Sequence, residues 1–435
     1  MILIYTHKIT KRVKYIFNLF FERLLEVPFE LTSKPEYFMH YEGPKFNYSE
    51  RQFKDELFFR SAGLLFDTGI EGQELNVFTR ENGKAFYPVY EKKSAMPFDL
   101  FSASFYLVTR YEEYLPYIKD QFGRFDARQS VSLKYGFLDQ PLVNIWAEEL
   151  KTILSKRFVS LRFSDRKFRF IPTIDIDSAY SYKYKGTVRT TGAMLMNLSR
   201  FQINEILERF KVLTGIKKDP FDTYDFQFFI QKKYELKPIY FILFANYGKY
   251  DKNIAVHNRS FQKLVKSLAD YAEVGIHPSY DSNNNFGSLK TEIERLSKVL
   301  NREVTKSRQH FLKLSFPTTY RNLINLDITD DYTMGYASEP GFRAGIADWF
   351  YFYDLDLETP TRLRVHPFQV MEGTLKDYLK LSREESLDVI KKMIDRVKAV
   401  NGTFISLWHN ESLSNEKRWA GWQKVYAEMV RYALS

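Results

Sequence analysis

From residue 166 onward the chain alternates short apolar runs with amphipathic stretches, and this alternation most constrains what it can fold into. The apolar runs are KFRFIPT at 167–173, PIYFILF at 238–244, then 273–276, 308–312, 324–328 and TFISLW at 403–408. Helical patterns lie between them, at 259–272, 288–300 and 384–399. Strand, helix, strand in repeated order needs crossover connections. Residues 166–435 therefore predict a parallel α/β architecture, either a barrel or a doubly wound sheet. No internal repeat of about 20–50 residues is visible.

The preceding residues read differently. ILIYT at 2–6 predicts a buried strand, and Phe29 to Leu31 a second. Between them, over 11–26, Val13, Ile16, Phe17, Phe20 and Leu24 fall on one face of a 3.6-residue period. Residues 41–95 mix short apolar runs with Gly and Pro, as strands and turns do. A second helix is expected over 98–115, with Phe101, Phe105, Val108 and Leu115 inward and Pro116 ending it. A chain of 435 residues exceeds the size at which one core stops growing, about 250–300 residues. The expectation is a smaller α+β domain over 1–165, followed by the α/β domain over 166–435.

Composition removes several chemistries. There is no cysteine, which excludes disulfides, thiolate nucleophiles, zinc knuckles and iron–sulfur clusters. Any metal must be held by Asp, Glu, water or the seven His. The 64 basic and 54 acidic residues give a net charge of +10, but the basic residues are scattered with no run of five. A solvated basic surface is expected, not a nucleic-acid partner. No stretch of about 18 apolar residues predicts a membrane span. Near the N-terminus the apolar piece Tyr15 to Phe21 is interrupted by Asn18 and followed by Glu22 and Arg23, with no small-residue cleavage site. This is unlike a signal peptide, so a cytoplasmic chain is expected. GxGxxG, Walker A and GxSxG patterns are all missing.

The candidate chemistry gathers at four strand ends. Thr173-Ile174-Asp175-Ile176-Asp177 places two carboxylates two residues apart, on one side of a strand. Such a pair is costly to bury unless a cation or an Arg offsets it. Glu273-Val274-Gly275-Ile276-His277 ends a run on a His. Arg308-Gln309-His310 supplies a forked donor suited to a carboxylate, and a further His. Leu407-Trp408-His409-Asn410 ends the last run on a His. Barrel enzymes collect their chemistry at the carboxyl ends of successive strands.

In order and spacing these segments resemble the polysaccharide deacetylases of the NodB-homology class, specifically a bacterial subgroup with an extra N-terminal domain. That family carries five motifs on a distorted (β/α) barrel. By this resemblance Thr-Ile-Asp-Ile-Asp is similar to the first motif, Thr-Phe-Asp-Asp-Gly, making Asp175 the catalytic base and Asp177 a metal ligand. His277 would be the first metal-binding His, and Arg308 the Arg that pairs with the base. Asp331, in Asp-Tyr-Thr-Met-Gly-Tyr, would be the acid that tunes the catalytic His, and His409 the general acid. Two positions depart from the pattern. Where a second metal-binding His would stand, four residues after His277, the chain has Asp281. Where the third motif has Pro after Arg-x, the chain has His310. Either His310 or Asp281 could complete the ligand set. His310 is preferred, because His suits zinc well.

The compact turn Gly341-Phe342-Arg343-Ala344-Gly345 carries one Arg that could hold substrate oxygens or an internal carboxylate. Tyr336, Trp349 and Trp408 could stack on sugars or pack in the core. The resemblance implies a divalent metal, zinc foremost, and a carbohydrate substrate. The activity expected is hydrolytic removal of acetyl groups from a sugar polymer or glycan precursor. The alternative is an inactive glycan-binding or assembly module that keeps the fold.

Overall fold

In the computed structural model, which describes residues 1–435, the strands form two main sheets. The first is all parallel and N-terminal: β1 (Ile2–Tyr5), β2 (Phe29–Thr32), β3 (Lys45–Ser49) and β4 (Leu57–Arg60), in the order β2-β1-β3-β4. The crossover from β1 to β2 is helix Lys11–Asn18. Thr10 caps it by accepting from Val13 N, and its last turns continue to Leu24. Val13, Ile16, Phe17, Phe20 and Leu24 are all buried, as their spacing predicts. A two-stranded ribbon, β5 (Phe78–Arg80) and β6 (Gly83–Ala85), follows. Helix Leu100–Val108 starts at Asp99, whose carboxylate accepts from Phe101 N and Ser102 N, and every residue in it is buried. Three helices over Pro35–His40, Val131–Lys134 and Leu142–Arg157 complete this part without a predicted counterpart.

The second sheet has nine strands: β7 (Arg169–Ile176), β8 (Ile239–Ile242), β9 (Glu273–Ile276), β10 (Lys306–Ser307), β11 (Asp330–Asp331), β12 (Phe350–Asp354), β13 (Thr359–Val365), β14 (Val370–Met371) and β15 (Thr403–His409). Their order is β12-β13-β11-β10-β9-β8-β7-β15-β14, and all pairs are parallel except β12 with β13. The fold is therefore mixed α/β. The sheet keeps two edges, β12 and β14, and no ladder closes it. One backbone bond, Phe368 N to Met334 O at 3.1 Å, turns the β14 edge back toward the segment after β11.

Two expected strands lie elsewhere. At 308–312 the chain has already left the sheet, because β10 ends at Ser307 and His310–Leu312 is a turn. At 324–328 the apolar residues finish helix Thr318–Asn325, which buries Tyr320 and Leu323, and β11 begins only at Asp330. Packing on one helical face outweighs the local strand pattern there.

The sheets are separate, but the core is shared across residue 165. One cluster of 88 buried apolar residues runs from Ile2 to Ala433. The seam is built on Gly341–Gly345. Phe342 N donates to Leu138 O, and Val143 N to Gly345 O. Gly341 has φ +140°, and a Cβ there would sit 2.4 Å from Leu138 O; Gly345 has φ +66°, and a Cβ would meet Leu107 Cδ1 at 2.7 Å. Only glycine allows both the backbone conformation and the approach. The Arg between them, Arg343, donates through Nε and Nη2 to Glu113 and through Nη1 to Gly335 O. Glu113 also accepts from Arg110 Nε at 2.8 Å. Of the two readings of this turn, the internal carboxylate is the one present.

This buried ion cluster sets a first prediction. Glu113→Ala would leave the buried Arg343 guanidinium without a carboxylate, while Arg110 keeps Glu112, and would lower stability by about 3–5 kcal/mol, measured by denaturant unfolding. Burial would raise the Glu113 carboxyl, but Arg343 and Arg110 hold it below its ordinary value. Its contribution in the wild type is therefore present above the usual carboxylate range and lost as pH falls through the lowered pKa. In Glu113→Ala this part of the acid dependence should vanish.

Candidate active site

The carboxyl ends of β7, β9 and β15, with the turn after β10, point their side chains at one place. Asp175 lies on β7, in register with His409 on β15, and Asp177 follows two residues later. His277 directly follows β9. Its Nε2 is 3.2 Å from Asp177 Oδ1 and 3.8 Å from Asp175 Oδ2. His310 Nε2 is 3.5 Å from Asp177 Oδ2, and His409 Nε2 is 3.8 Å from the same oxygen.

Every other polar atom of these side chains is held from behind. His277 Nδ1 faces Arg308 O at 2.5 Å, and His310 Nδ1 faces Asp251 Oδ1 at 2.8 Å. His409 Nδ1 faces Glu372 Oε1 at 2.8 Å, and His409 N donates to the same oxygen. Arg308, fully buried, donates from Nη1 to Asp175 Oδ1 at 2.8 Å and from Nε to Tyr332 O at 3.0 Å. The three Nε2 atoms are thus turned inward, as outer partners fix imidazoles around a metal.

Asp177, His277 and His310 each bring one ligand atom to within 4.8 Å of the others. Asp177 Oδ1 is buried with no hydrogen-bond partner. Two imidazole nitrogens and a carboxylate are a donor set suited to zinc, and the unsatisfied oxygen is what a cation would satisfy. The residues fit a divalent metal. Burial would raise the Asp177 carboxyl, yet the imidazoles of His310 and His409 hold it well below its ordinary range. Burial would lower His310, but Asp177 and Asp251 push it up to about 9. Burial would likewise lower His409, and the carboxylates of Glu372 and Asp177 drive it well above its ordinary value.

The cluster opens into a cavity of about 190 Å³. Asp175, Asp177, His277, His310 and His409 line it, with Arg124, Phe311, Tyr378 and Trp419 on its walls. The remaining expected residues lie outside it. Asp281 is exposed and lines a different surface cavity beside Gly248. Asp331 is buried two strands from β9, accepting from Ser307 Oγ, Thr333 N and Thr333 Oγ1, and does not reach His409. Trp408 is fully buried against Trp422 and Tyr426, on the opposite side of β15 from the cavity-lining Leu407 and His409. Alternation along a strand places it there. Arg343 is consumed by Glu113, and the buried Tyr336 hydroxyl accepts from Arg110 Nη2. Trp349 sits under the Arg23 guanidinium, 3.6 Å from its ring centre.

Two partners had no place in the sequence reading. Glu372 takes the position beside His409 expected of Asp331. Its signal is an acid directly after the apolar pair Val370-Met371, the same strand-end pattern as the other motifs. Asp251 orients His310, and its signal is weaker: an acid in the loop following PIYFILF.

Residues 2–159 match a family of unknown function (DUF7033). No curated protein sequence matches the chain. Among solved structures, a Mycobacterium smegmatis protein assigned as a polysaccharide deacetylase is similar at 12% identity, covering 61% of this chain and 85% of its own, with a TM-score of 0.38. Puue allantoinase is similar at 9% identity over 60% of this chain and 83% of its own, with a TM-score of 0.37. A CE4 family pseudoenzyme from Bacillus anthracis is similar at 11% identity over 62% of this chain and 61% of its own, with a TM-score of 0.32. Likenesses this distant say nothing of activity. No helix is long and apolar enough to cross a membrane.

The ligand set gives a second prediction. Purified protein should bind one zinc or cobalt ion per chain by metal analysis. Asp177→Asn, His277→Ala and His310→Ala should each lose stoichiometric binding, because three protein ligands is already the minimum for such a site. Asp281→Asn should retain it.

Proposed function

We propose that the chain is a metal-dependent hydrolase that removes acetyl groups from an acetylated sugar polymer or glycan precursor. The observation that carries this reading is the placement of two proton-handling groups, Asp175 and His409, on a cluster of metal-type ligands at one cavity wall.

Asp177, His277 and His310 would hold the ion, which when bound activates water and polarises a carbonyl. Arg308 engages Asp175 Oδ1 and leaves Oδ2 turned toward the cluster, 3.8 Å from His277 Nε2. That oxygen is placed to accept a proton. Glu372 fixes His409 through Nδ1, so the proton His409 can deliver is the one on Nε2, which faces the cavity. A base and an acid fixed beside one centre, on neighbouring strands, suit acyl hydrolysis. The base takes the nucleophile's proton, and the acid supplies one to the leaving amine or alkoxide. The net reaction adds one water, releasing acetate and a free amine or hydroxyl. The exposed wall aromatic Tyr378 suits a sugar face.

Acetate release from a panel of N- and O-acetylated glycans by zinc-loaded protein tests this reading. Asp175→Asn should cut turnover by roughly 10²–10⁴-fold, the usual worth of a general base, while metal content stays near one. Glu372→Gln keeps a partner for His409 but removes its charge, and should also lower turnover without loss of metal. Loss of metal in Asp175→Asn with retention in Asp177→Asn would reverse the two roles. Full turnover in both would place the chemistry elsewhere.

A further inference from the structure

The N-terminal stretch reaches the site at one turn. Over Asp120–Arg124 the chain closes on itself: Asp120 N donates to Arg124 O, and Gly123 N to Asp120 O, both at 2.9 Å. The Asp120 carboxylate accepts from Phe122 N, Arg124 N and Arg124 Nε. From this braced base the buried Arg124 guanidinium crosses to the second sheet. Nη1 donates to Phe311 O at 3.0 Å, and Nη2 to Tyr378 OH at 3.3 Å. The Phe122 ring packs on Phe311 with centroids 5.0 Å apart, and Phe122 O accepts from Tyr280 OH at 3.1 Å. Phe311 directly follows His310, and Tyr280 is three residues beyond His277. The turn therefore grips the two loops that carry the candidate His ligands, His277 and His310.

One of those loops needs gripping. Phe311 and Leu312 have φ values of 60° and 54°, two consecutive non-glycine residues in the left-handed region. Such residues are strained and persist only where their surroundings over-determine them. Relaxation of this pair would redirect the chain next to His310, whose own side chain has a single partner behind it, Asp251.

We propose that the Asp120–Arg124 turn is a positioning element of the metal site: it holds His310–Leu312 in the strained conformation that aims His310 Nε2 at Asp177. The inference rests on the metal-centre reading above. It gives the N-terminal stretch a role in the chemistry of a sheet to which it contributes no strand, with Arg124 as a positioning residue and not a ligand.

The test uses the 435-residue chain and the metal alone. Zinc affinity is measured by chelator competition, and ligand geometry by the visible spectrum of the cobalt-loaded protein. Arg124→Ala should weaken zinc by about 10–100-fold, the usual effect of removing an outer-shell partner, and should change the cobalt spectrum. Arg124→Lys keeps one donor and should fall between it and the wild type. Arg128→Ala, an exposed Arg close by in the same segment that pairs with Asp126, should leave both readouts unchanged. Affinity and spectrum unchanged in folded Arg124→Ala would overturn the proposal, as would an equal loss in Arg128→Ala. If Arg124→Ala does not fold, Phe122→Leu is judged by the same criterion. A wild-type protein that binds no metal overturns the metal-centre reading and this inference with it. A wild type that binds, beside an Arg124→Ala that binds equally, overturns this inference alone.

Discussion

Arg308 is the residue on which the centre of the molecule depends. It follows the two-residue strand β10, and its side chain lies under the sheet ends with no exposure. Its guanidinium joins Asp175 from β7 to the Tyr332 carbonyl after β11, above the Phe241 ring of β8. Its own carbonyl receives the His277 ring. One buried residue, through its guanidinium and its carbonyl, thus connects the segments of β7, β8, β9 and β11, and fixes the distance between a candidate base and a candidate ligand. A buried charge pair of this kind is weak evidence for stability, since the cost of desolvation rivals the attraction. Its value here is geometric. The Asp175 carboxylate cannot move away without leaving the guanidinium unpaired, and the His277 imidazole cannot move away without giving up the Arg308 carbonyl.

The short ladders β10 and β11 have a related effect. Two paired residues suffice to hold register but release the chain early, so Arg308, Gln309 and His310 leave the sheet just where neighbouring strands present their terminal side chains. The stretch after β10 is then free to turn sharply. The sharp turn in its path is stabilised from outside the sheet.

Much of this was legible in the residues, for identifiable reasons. The runs around β7 and β15 are long and apolar, and the acids and imidazole that end them stand out against buried neighbours. The order Asp, Asp, His, Arg, His, His along the chain is a one-dimensional signal, and the structure brings those side chains together. What the residues concealed is pairing at long range. Glu372 and Asp331 both end short strands, and which acid stands behind His409 depends on β14 lying beside β15. Trp408 looked available for a sugar because its neighbour is functional, yet strand alternation sends it to the other face. Two-residue strands have no periodicity to read, and the apolar runs at 308–312 and 324–328 read as strands where the chain turns or is helical. Arg343 was recognisable as a charge needing a partner, but Glu113 is 230 residues away.

That last separation has a consequence for biosynthesis. Glu113 leaves the ribosome long before Arg343, and at about 5–20 residues per second the interval is roughly 10–50 s. During it the Leu138 and Leu107 surfaces that receive Gly341 and Gly345 are uncovered, and Glu113 has only Arg110 as a cationic partner. The first sheet can form in that window, but its burial is finished only by chain not yet made. The N-terminal stretch is thus committed to a late-arriving segment of its own polypeptide, and a ribosome stalled between the two would present an unfinished apolar surface to chaperones and proteases.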